Sequence, residues 1–526
     1  MKKNNSFAMG AIILMASAII TKVVGAIFKI PLTNLIGADG IGMFSVAYTV
    51  YSTLFVISTA GLPAALSKMV AGPEAAGNSG RSKKILRTAL STFSLIGIAA
   101  SLITFVFARQ LTELVGNSMA YYSILAVAPS LFFVSVISII RGYFQGLSNM
   151  MPTAVSQILE ALGKLVFGLL FAKVAIDRGM STEFAAAGAM LGVTAGTVIA
   201  AVFLLIRCKV YTQNIRKIKS QGSFGETFRD IVGTAVPVTV GAAVLSLTNL
   251  IDMFMVMNRL QWPGGFSEAM ANKLYGAYTM SVSIYNLPQT IIVAISVSVI
   301  PVIAACMARN NLQKARSTIE SALRITSMIA MPAGIGFFVL SENILNLLYY
   351  KKPEDVVYAV PLLRFLGFAV IFVALVSLTN SILQSINRIK VPVVTMFIGG
   401  VIKIIANFFL VAMPALNIKG APIGTVCCYG TIAILNLMVI KANVEKLSIL
   451  GIFFKPFFAS AAMGAFAYFT VNPITAYLGD KIGIVAVIAL AAVFYFAVLF
   501  AVGGVKKQDV LLMPKGEKIA KLLNLK

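Results

Sequence analysis

The chain has 526 residues, 59% of them hydrophobic and only 12% charged, with a mean hydropathy of +0.92 and a net charge of +25. Soluble domains are about a quarter charged and under half apolar, so the composition describes one large membrane-embedded unit rather than three or four soluble domains. There is no histidine, and Cys208, Cys306, Cys427 and Cys428 form no Cys-x-x-Cys pair, which excludes His-based acid–base catalysis, a Ser-His-Asp triad and a zinc site, so that neither an enzyme nor a resident metal is expected.

A membrane-spanning helix needs about 20 mostly apolar residues. Such runs predict an all-α polytopic protein with fourteen spans, near 7–35, 41–67, 86–108, 119–146, 152–172, 185–206, 231–258, 274–305, 319–341, 356–386, 391–413, 420–440, 453–472 and 482–504. The first run is too long for a cleaved signal peptide and continues through Lys22 and Lys29 without a small-residue cleavage site. An even number of spans puts both termini on one side. Lys and Arg fall 29 to 9 in favour of the termini and the loops on their side, Arg141 among them, so both termini are expected in the cytoplasm of a bacterial cell with the chain in its plasma membrane. The positive charge is thereby read as topology, and no nucleic-acid partner is expected.

The chain repeats itself. Gln145 and Lys164 match Gln384 and Lys403 at a spacing of 239, and Pro63, Ile57 and Ser58 match Pro301, Ile295 and Ser296 at 238. The shift is six spans, an even number, which predicts a parallel repeat: an N-lobe over 1–206, a basic cytoplasmic linker over 207–230, a C-lobe over 231–444, two appended spans within 445–505 and a basic tail over 506–526. A cavity between two such lobes is the usual place for a transported substrate.

Charges inside spans are costly and usually face a cavity or a partner. Lys22 and Lys29 are seven residues apart, close to two helical turns, so they share a face of span 1 and suit an anion such as phosphate or pyrophosphate, unless Lys29 snorkels to the outer surface. Glu160 and Lys164 form an i, i+4 pair in the favourable order and are expected to neutralise each other. Lys403 has Gly399 in place of the glutamate and needs another acid, an anionic substrate or water, and Arg364 is a further cation within span 10. Asp252 is the other acid within a span, expected either to pair with Lys403 or Arg364 or to hold a cation with Asn407 and Thr425. The excess of basic over acidic residues inside spans suits an anionic substrate and disfavours cationic drugs. The prolines Pro63, Pro288 and Pro301 interrupt spans and are read either as static kinks or as hinges.

The stretches ITKVVGAIFKIPLTNLIGADGIG (20–42), AGLPAALSK (60–68) and YNLPQTIIVAISVSVIP (285–301) resemble the multidrug/oligosaccharidyl-lipid/polysaccharide exporter superfamily. Within it the chain is most similar, over its whole length, to the polysaccharide-biosynthesis branch that includes stage V sporulation protein B, YtgP and the MurJ lipid II flippases. That resemblance implies an alternating-access flippase carrying an undecaprenyl-pyrophosphate-linked saccharide such as lipid II from the inner to the outer leaflet. It implies that Lys22 lines the cavity, with Lys29 one residue beyond the family's next basic position. The family's basic residue of span 8 has no counterpart in Ser283–Pro288. The resemblance also implies Asp252 and Asn407 as ligands of a coupling Na+ (H+ being the other candidate ion) and a groove for the lipid tail on spans 13 and 14. The Gly-x-x-x-x-Gly-Lys-Ser/Thr motif is missing from the sequence, so neither ATP hydrolysis in this chain nor an ATPase partner is expected, and no cofactor. The alternatives are a multidrug or cation exporter of the same fold and a non-transporting membrane scaffold.

Overall fold

The computed structural model describes residues 2–213, 223–444, 447, 449–506 and 508–509, and every one of the predicted spans falls on a helical run. Among the described residues there is no strand. Ten helices are long and apolar enough to cross a membrane, or eleven if the pair Ser118–Val127 and Ser130–Gly146, bent by 43°, is one span. One of the ten is the 64-residue stretch Ile12–Ala75, which is about three times what a single crossing requires and covers two predicted spans.

The chain divides into two compact units: Met1–Gln261 with Phe266–Gly276, and Trp262–Gly265 with Ala277–Lys526. The first unit opens with α1 (Lys2–Thr59), α2 (Leu62–Ala75), α3 (Ser79–Val106) and α4 (Ala108–Val115). It continues through α5 (Tyr121–Val127), α6 (Ser130–Gly146), α7 (Met151–Asp177), α8 (Thr182–Gln213) and α9 (Phe224–Gln261). Helix α1 breaks at Gly37 (φ 68°, ψ −172°), a conformation open to a residue without a Cβ. The break is tied down by Asn272, whose Nδ2 donates to the Asp39 carbonyl at 2.9 Å and whose Oδ1 accepts from Asn117 Nδ2 at 2.8 Å. Ser118 donates through both its backbone N–H and its hydroxyl to the Glu268 carboxylate beside this joint.

Helix α9, which the sequence places at the head of the second lobe, packs within the first unit. Gly61 lies against the Ala235 carbonyl, where an added Cβ would come within 2.0 Å, and its N–H donates to Thr239 Oγ1 at 3.0 Å. Asn258 Nδ2 donates to the Val115 carbonyl. The expected linker is largely the ends of α8 and α9; its residues 214–222 lie outside those described.

Helix α10 (Glu268–Ala308) starts in the first unit and runs on into the second. Pro63 does follow a break, at Ala60–Gly61, and starts α2. Pro288 and Pro301, in contrast, lie inside the continuous helix α10 and interrupt nothing. The second unit adds α11 (Leu312–Val339), α12 (Ser341–Leu348), α13 (Pro353–Ser385), α14 (Lys390–Leu410), α15 (Gly420–Asn443), α16 (Ile449–Leu478) and α17 (Asp480–Ala501). The appended pair α16 and α17 buries Met463, Ala467, Val487 and Tyr495 in a cluster with Met328 of α11 and Leu340. Beyond α17 the chain turns back: the Asp509 carboxylate accepts two hydrogen bonds from Arg324 Nη1, at 2.8 and 2.9 Å, with both side chains buried. The start of the expected tail is therefore docked rather than solvated; residues 510–526 lie outside those described.

The repeat is visible in the turns. The α6–α7 turn has Ser148 at φ 58°, and the α13–α14 turn, 239 residues later, has Asn387 at φ 61°. Both turns close by the same pair of backbone bonds, Ser148 to Gln145 with Asn149 to Phe144, and Asn387 to Gln384 with Arg388 to Leu383, the pattern that ends a helix through one left-handed residue. The turns into α3 and α11 match as well: Asn78 and Asn311 cap these helices through the N–H groups of Arg81 and Lys314, each at 3.0 Å.

Helices α7 and α8 approach backbone to backbone. A Cβ on Gly192 would lie 2.2 Å from the Gly168 Cα, whereas one on Gly400 of α14 meets nothing within 4 Å. Gly192→Val should destabilise the protein by roughly 1–3 kcal/mol or more through overpacking, lowering its thermal unfolding temperature in detergent, while Gly400→Ala should leave that temperature unchanged or slightly raised.

Candidate functional site

The charged residues of the first unit are placed by the packing of α1 on α7. Ser17 Oγ donates to Gln157 Oε1 at 2.8 Å, and about three turns further along α7 the Gly168 surface receives the Phe28 ring, which an added Cβ would approach to 2.8 Å. Between these two fixed points lies Lys164. Its Nζ stands over three aromatic rings, 4.4 Å from the Tyr48 centroid, 5.1 Å from Phe28 and 6.0 Å from Phe44. The electron-rich faces of these rings attract the ammonium without neutralising it, by roughly 0.5–2 kcal/mol per contact.

The expected Glu160–Lys164 pair is not what forms. Glu160 Oε2 accepts from Arg141 Nη2 at 2.9 Å, and Arg141 Nε donates to Ser156 Oγ at 2.9 Å. Arg141, assigned to a loop by its charge, is within α6 and largely buried, so its guanidinium reaches the neighbouring helix rather than water. A guanidinium presents several donors in one rigid plane and so fixes carboxylate and hydroxyl in a defined geometry, which the freely rotating lysine ammonium at i+4 does not.

With Glu160 held by Arg141, Lys164 keeps its charge where α7 packs on α1, and Lys29, half-buried and next in sequence to Phe28, carries a second charge on α1. Among the described residues neither lysine forms an ion pair. Cations without a paired carboxylate make a place where an anion is stabilised. Lys22 is exposed on α1, two turns before Lys29. The structure thus places Lys164 over Phe28, the sequence neighbour of Lys29, and joins Glu160 to Arg141.

The other expected residues are each placed by their own helices. Arg364 is exposed on α13, and its Nε donates to Ser341 Oγ at 3.0 Å where α12 begins, so it fastens a helix junction. Lys403 is half-buried on α14. Asn407 is fully buried with its Oδ1 against Gly424, where a Cβ would come within 2.1 Å, and Thr425 follows on α15 with its hydroxyl donating to the Ala421 carbonyl. Asp252 is half-buried on α9, in the first unit. Among the described residues no group of three or more Cys, Asp or Glu could hold a metal ion.

The residues that sequence reasoning missed are Arg141 and the rings of Phe28, Phe44 and Tyr48. For Arg141 there was a signal: at a spacing of 239 it maps onto Asn380, just as Glu160 maps onto Gly399, so the two charges are absent together from the second repeat.

The polysaccharide biosynthesis protein family profile matches residues 7–307. The chain belongs to the polysaccharide biosynthesis protein family. The MatE family profile also matches, over residues 237–409. This family member is 26% identical to stage V sporulation protein B of Bacillus subtilis, over 97% of this chain and 98% of that one. It is 25% identical to the lipid II flippase MurJ of the same organism, over 82% of each. Among solved structures it superimposes on the lipid II flippase MurJ in an inward closed conformation with a TM-score of 0.65 at 17% identity, covering 93% of this chain and all of that one. An inward-facing multidrug resistance MATE transporter of the MOP superfamily gives 0.62 at 16% identity, over 81% and 98%. The family member therefore has the fold of MOP-superfamily membrane transporters, and its relatives named for an activity are flippases and transporters rather than enzymes.

If the Lys164 charge serves a ligand and not the fold, Lys164→Met should keep the side-chain packing against Phe28 and Tyr48 and cost no stability. Its thermal unfolding temperature should equal or exceed that of the wild type, because a charge is removed from an apolar site.

Proposed function

We propose that the protein is a flippase for an anionic, lipid-linked cell-wall or polysaccharide precursor, an undecaprenyl-pyrophosphate saccharide of the lipid II kind. The observation that carries this reading is the ammonium group of Lys164, held over the Phe28 and Tyr48 rings while Glu160 is bonded to Arg141, with a second lysine, Lys29, next to Phe28 on α1. A pyrophosphate carries at least two negative charges at neutral pH and would be attracted to both lysines. The similarity to a lipid II flippase over four-fifths of both chains supports the same substrate class. The polyprenyl tail needs apolar surface, which the exposed faces of α16 and α17 offer through residues such as Phe469, Ile482, Val493 and Phe496.

In this reading Lys29 and Lys164 hold the pyrophosphate, Lys22 meets it two turns earlier on α1, and the site is exposed in turn to the two membrane faces. The termini are cytoplasmic and the membrane is the bacterial plasma membrane, on the strength of the basic loops. The coupling ion is Na+ or H+, for which Asp252 of α9 offers a carboxylate oxygen; the break at Gly61–Pro63 is the point of bending. A cation exporter on the same fold would need acidic groups where Lys29 and Lys164 stand, so the sign of the site speaks against it.

The test is translocation in proteoliposomes, with a fluorescent polyprenyl pyrophosphate and a membrane-impermeant quencher. The wild type should move the label between leaflets without nucleotide. Lys29→Ala and Lys164→Ala should each slow that movement about tenfold or more, the equivalent of about 1.4 kcal/mol, at unchanged protein content. Equal rates in wild type and both variants would refute the assignment.

A further inference from the structure

We propose that Arg141 is a positioning residue that sets the specificity of this site by sequestering Glu160, so that Lys164 keeps its charge for an anionic ligand. The proposal rests on the reading of Lys29 and Lys164 as an anion site, and adds how that site stays cationic.

On α7 alone, Glu160 and Lys164 would pair. They are one turn apart with the glutamate on the N-terminal side, the arrangement in which the two side chains reach each other best. A carboxylate on Lys164 would cancel half the charge of the site and place a negative group where an anion has to sit. The structure shows the carboxylate turned away, at 2.9 Å from the Arg141 guanidinium, which is itself fixed by Ser156 Oγ. Lys164 is held instead by rings, which stabilise an ammonium without consuming its charge.

The second repeat supplies an independent observation. At a spacing of 239, Arg141, Ser156, Glu160 and Lys164 correspond to Asn380, Thr395, Gly399 and Lys403. There the same helices carry a neutral network: Asn436 Nδ2 donates to Asn380 Oδ1 at 2.8 Å and to Thr379 Oγ1 at 3.0 Å, and Thr395 Oγ1 donates to Asn436 Oδ1 at 2.8 Å. The packing of these helices therefore has no intrinsic need of an arginine. The arginine and the glutamate are lost together while the lysine stays. That is the pattern expected if the guanidinium is there to manage the carboxylate.

The experiment compares Arg141→Met, Glu160→Gln and Arg141→Met/Glu160→Gln with the wild type and Lys164→Ala. The readout is the dissociation constant of a polyprenyl pyrophosphate measured on the full chain in nanodiscs, with thermal stability recorded alongside. Arg141→Met frees Glu160 to pair with Lys164 and should weaken binding about tenfold, as Lys164→Ala does. The double variant removes the carboxylate as well, can form a neutral network like that of the second repeat, and should bind within about twofold of the wild type. Glu160→Gln alone should bind as well as the wild type or better. If Arg141→Met is too unstable to purify, the double variant still decides. Weak binding by a stable double variant would overturn the proposal, because Arg141 would then contact the anion itself. If Lys164→Ala binds as tightly as the wild type, the anion-site reading fails first, and that failure is distinct from the failure of the rescue.

Discussion

The structure turns on one constraint: a charge carried into an apolar helix bundle has to be held by something. The protein solves this in two ways one helical turn apart on α7. Arg141 and Glu160 hold each other, with Ser156 completing the guanidinium's bonds. Lys164 is held by the faces of Tyr48, Phe28 and Phe44, which lower the cost of its burial and leave its charge in place. The difference between these two solutions separates an inert ion pair from a site with a sign. Phe28 and Tyr48 come from the two sides of the break at Gly37, so the bend in α1 also sets the cage.

The two repeats share a frame and differ in what it carries. Their turns coincide down to a single left-handed residue and its two backbone bonds, and asparagine caps open α3 and α11 alike. On that frame the first repeat has a charged network and the second a neutral one built on Asn436. On this common frame the side chains differ, and among the described residues the Arg141–Glu160 ion pair belongs to the first repeat. The appended helices α16 and α17 add surface without disturbing the repeat, since they pack on α11 and are fastened from the far end by the buried Arg324–Asp509 pair. Breaking such a pair by removing one partner costs roughly 3–5 kcal/mol, whereas docking of apolar helices alone would let the chain end fray.

Much of this is legible in the sequence. Runs of apolar residues locate the spans because the bilayer imposes their length, and the spacing of Lys164 from Lys403 and of Pro63 from Pro301 exposes the duplication. The site is less legible, because spacing along one helix cannot rank partners on other helices. Glu160 and Lys164 satisfy the local rule for an ion pair, and a guanidinium nineteen residues earlier overrides it. The positive-inside rule treats each arginine as a loop marker, which hides one that is turned inward from α6. Prolines mislead in the opposite direction: Pro63 marks a true break, but Pro288 and Pro301 are accommodated within the unbroken helix α10.

The central claim is that the site selects negative charge, and the most direct measurement is a competition at the purified protein followed by native mass spectrometry. A polyprenyl pyrophosphate, the corresponding neutral polyprenyl alcohol and a lipophilic cation would be offered together in equal amounts. The account predicts that the pyrophosphate is retained over both others, and that the preference collapses to that of the alcohol when Lys29 and Lys164 are both changed to alanine. Equal retention of alcohol and pyrophosphate by the wild type, or preferential retention of the cation, would contradict it.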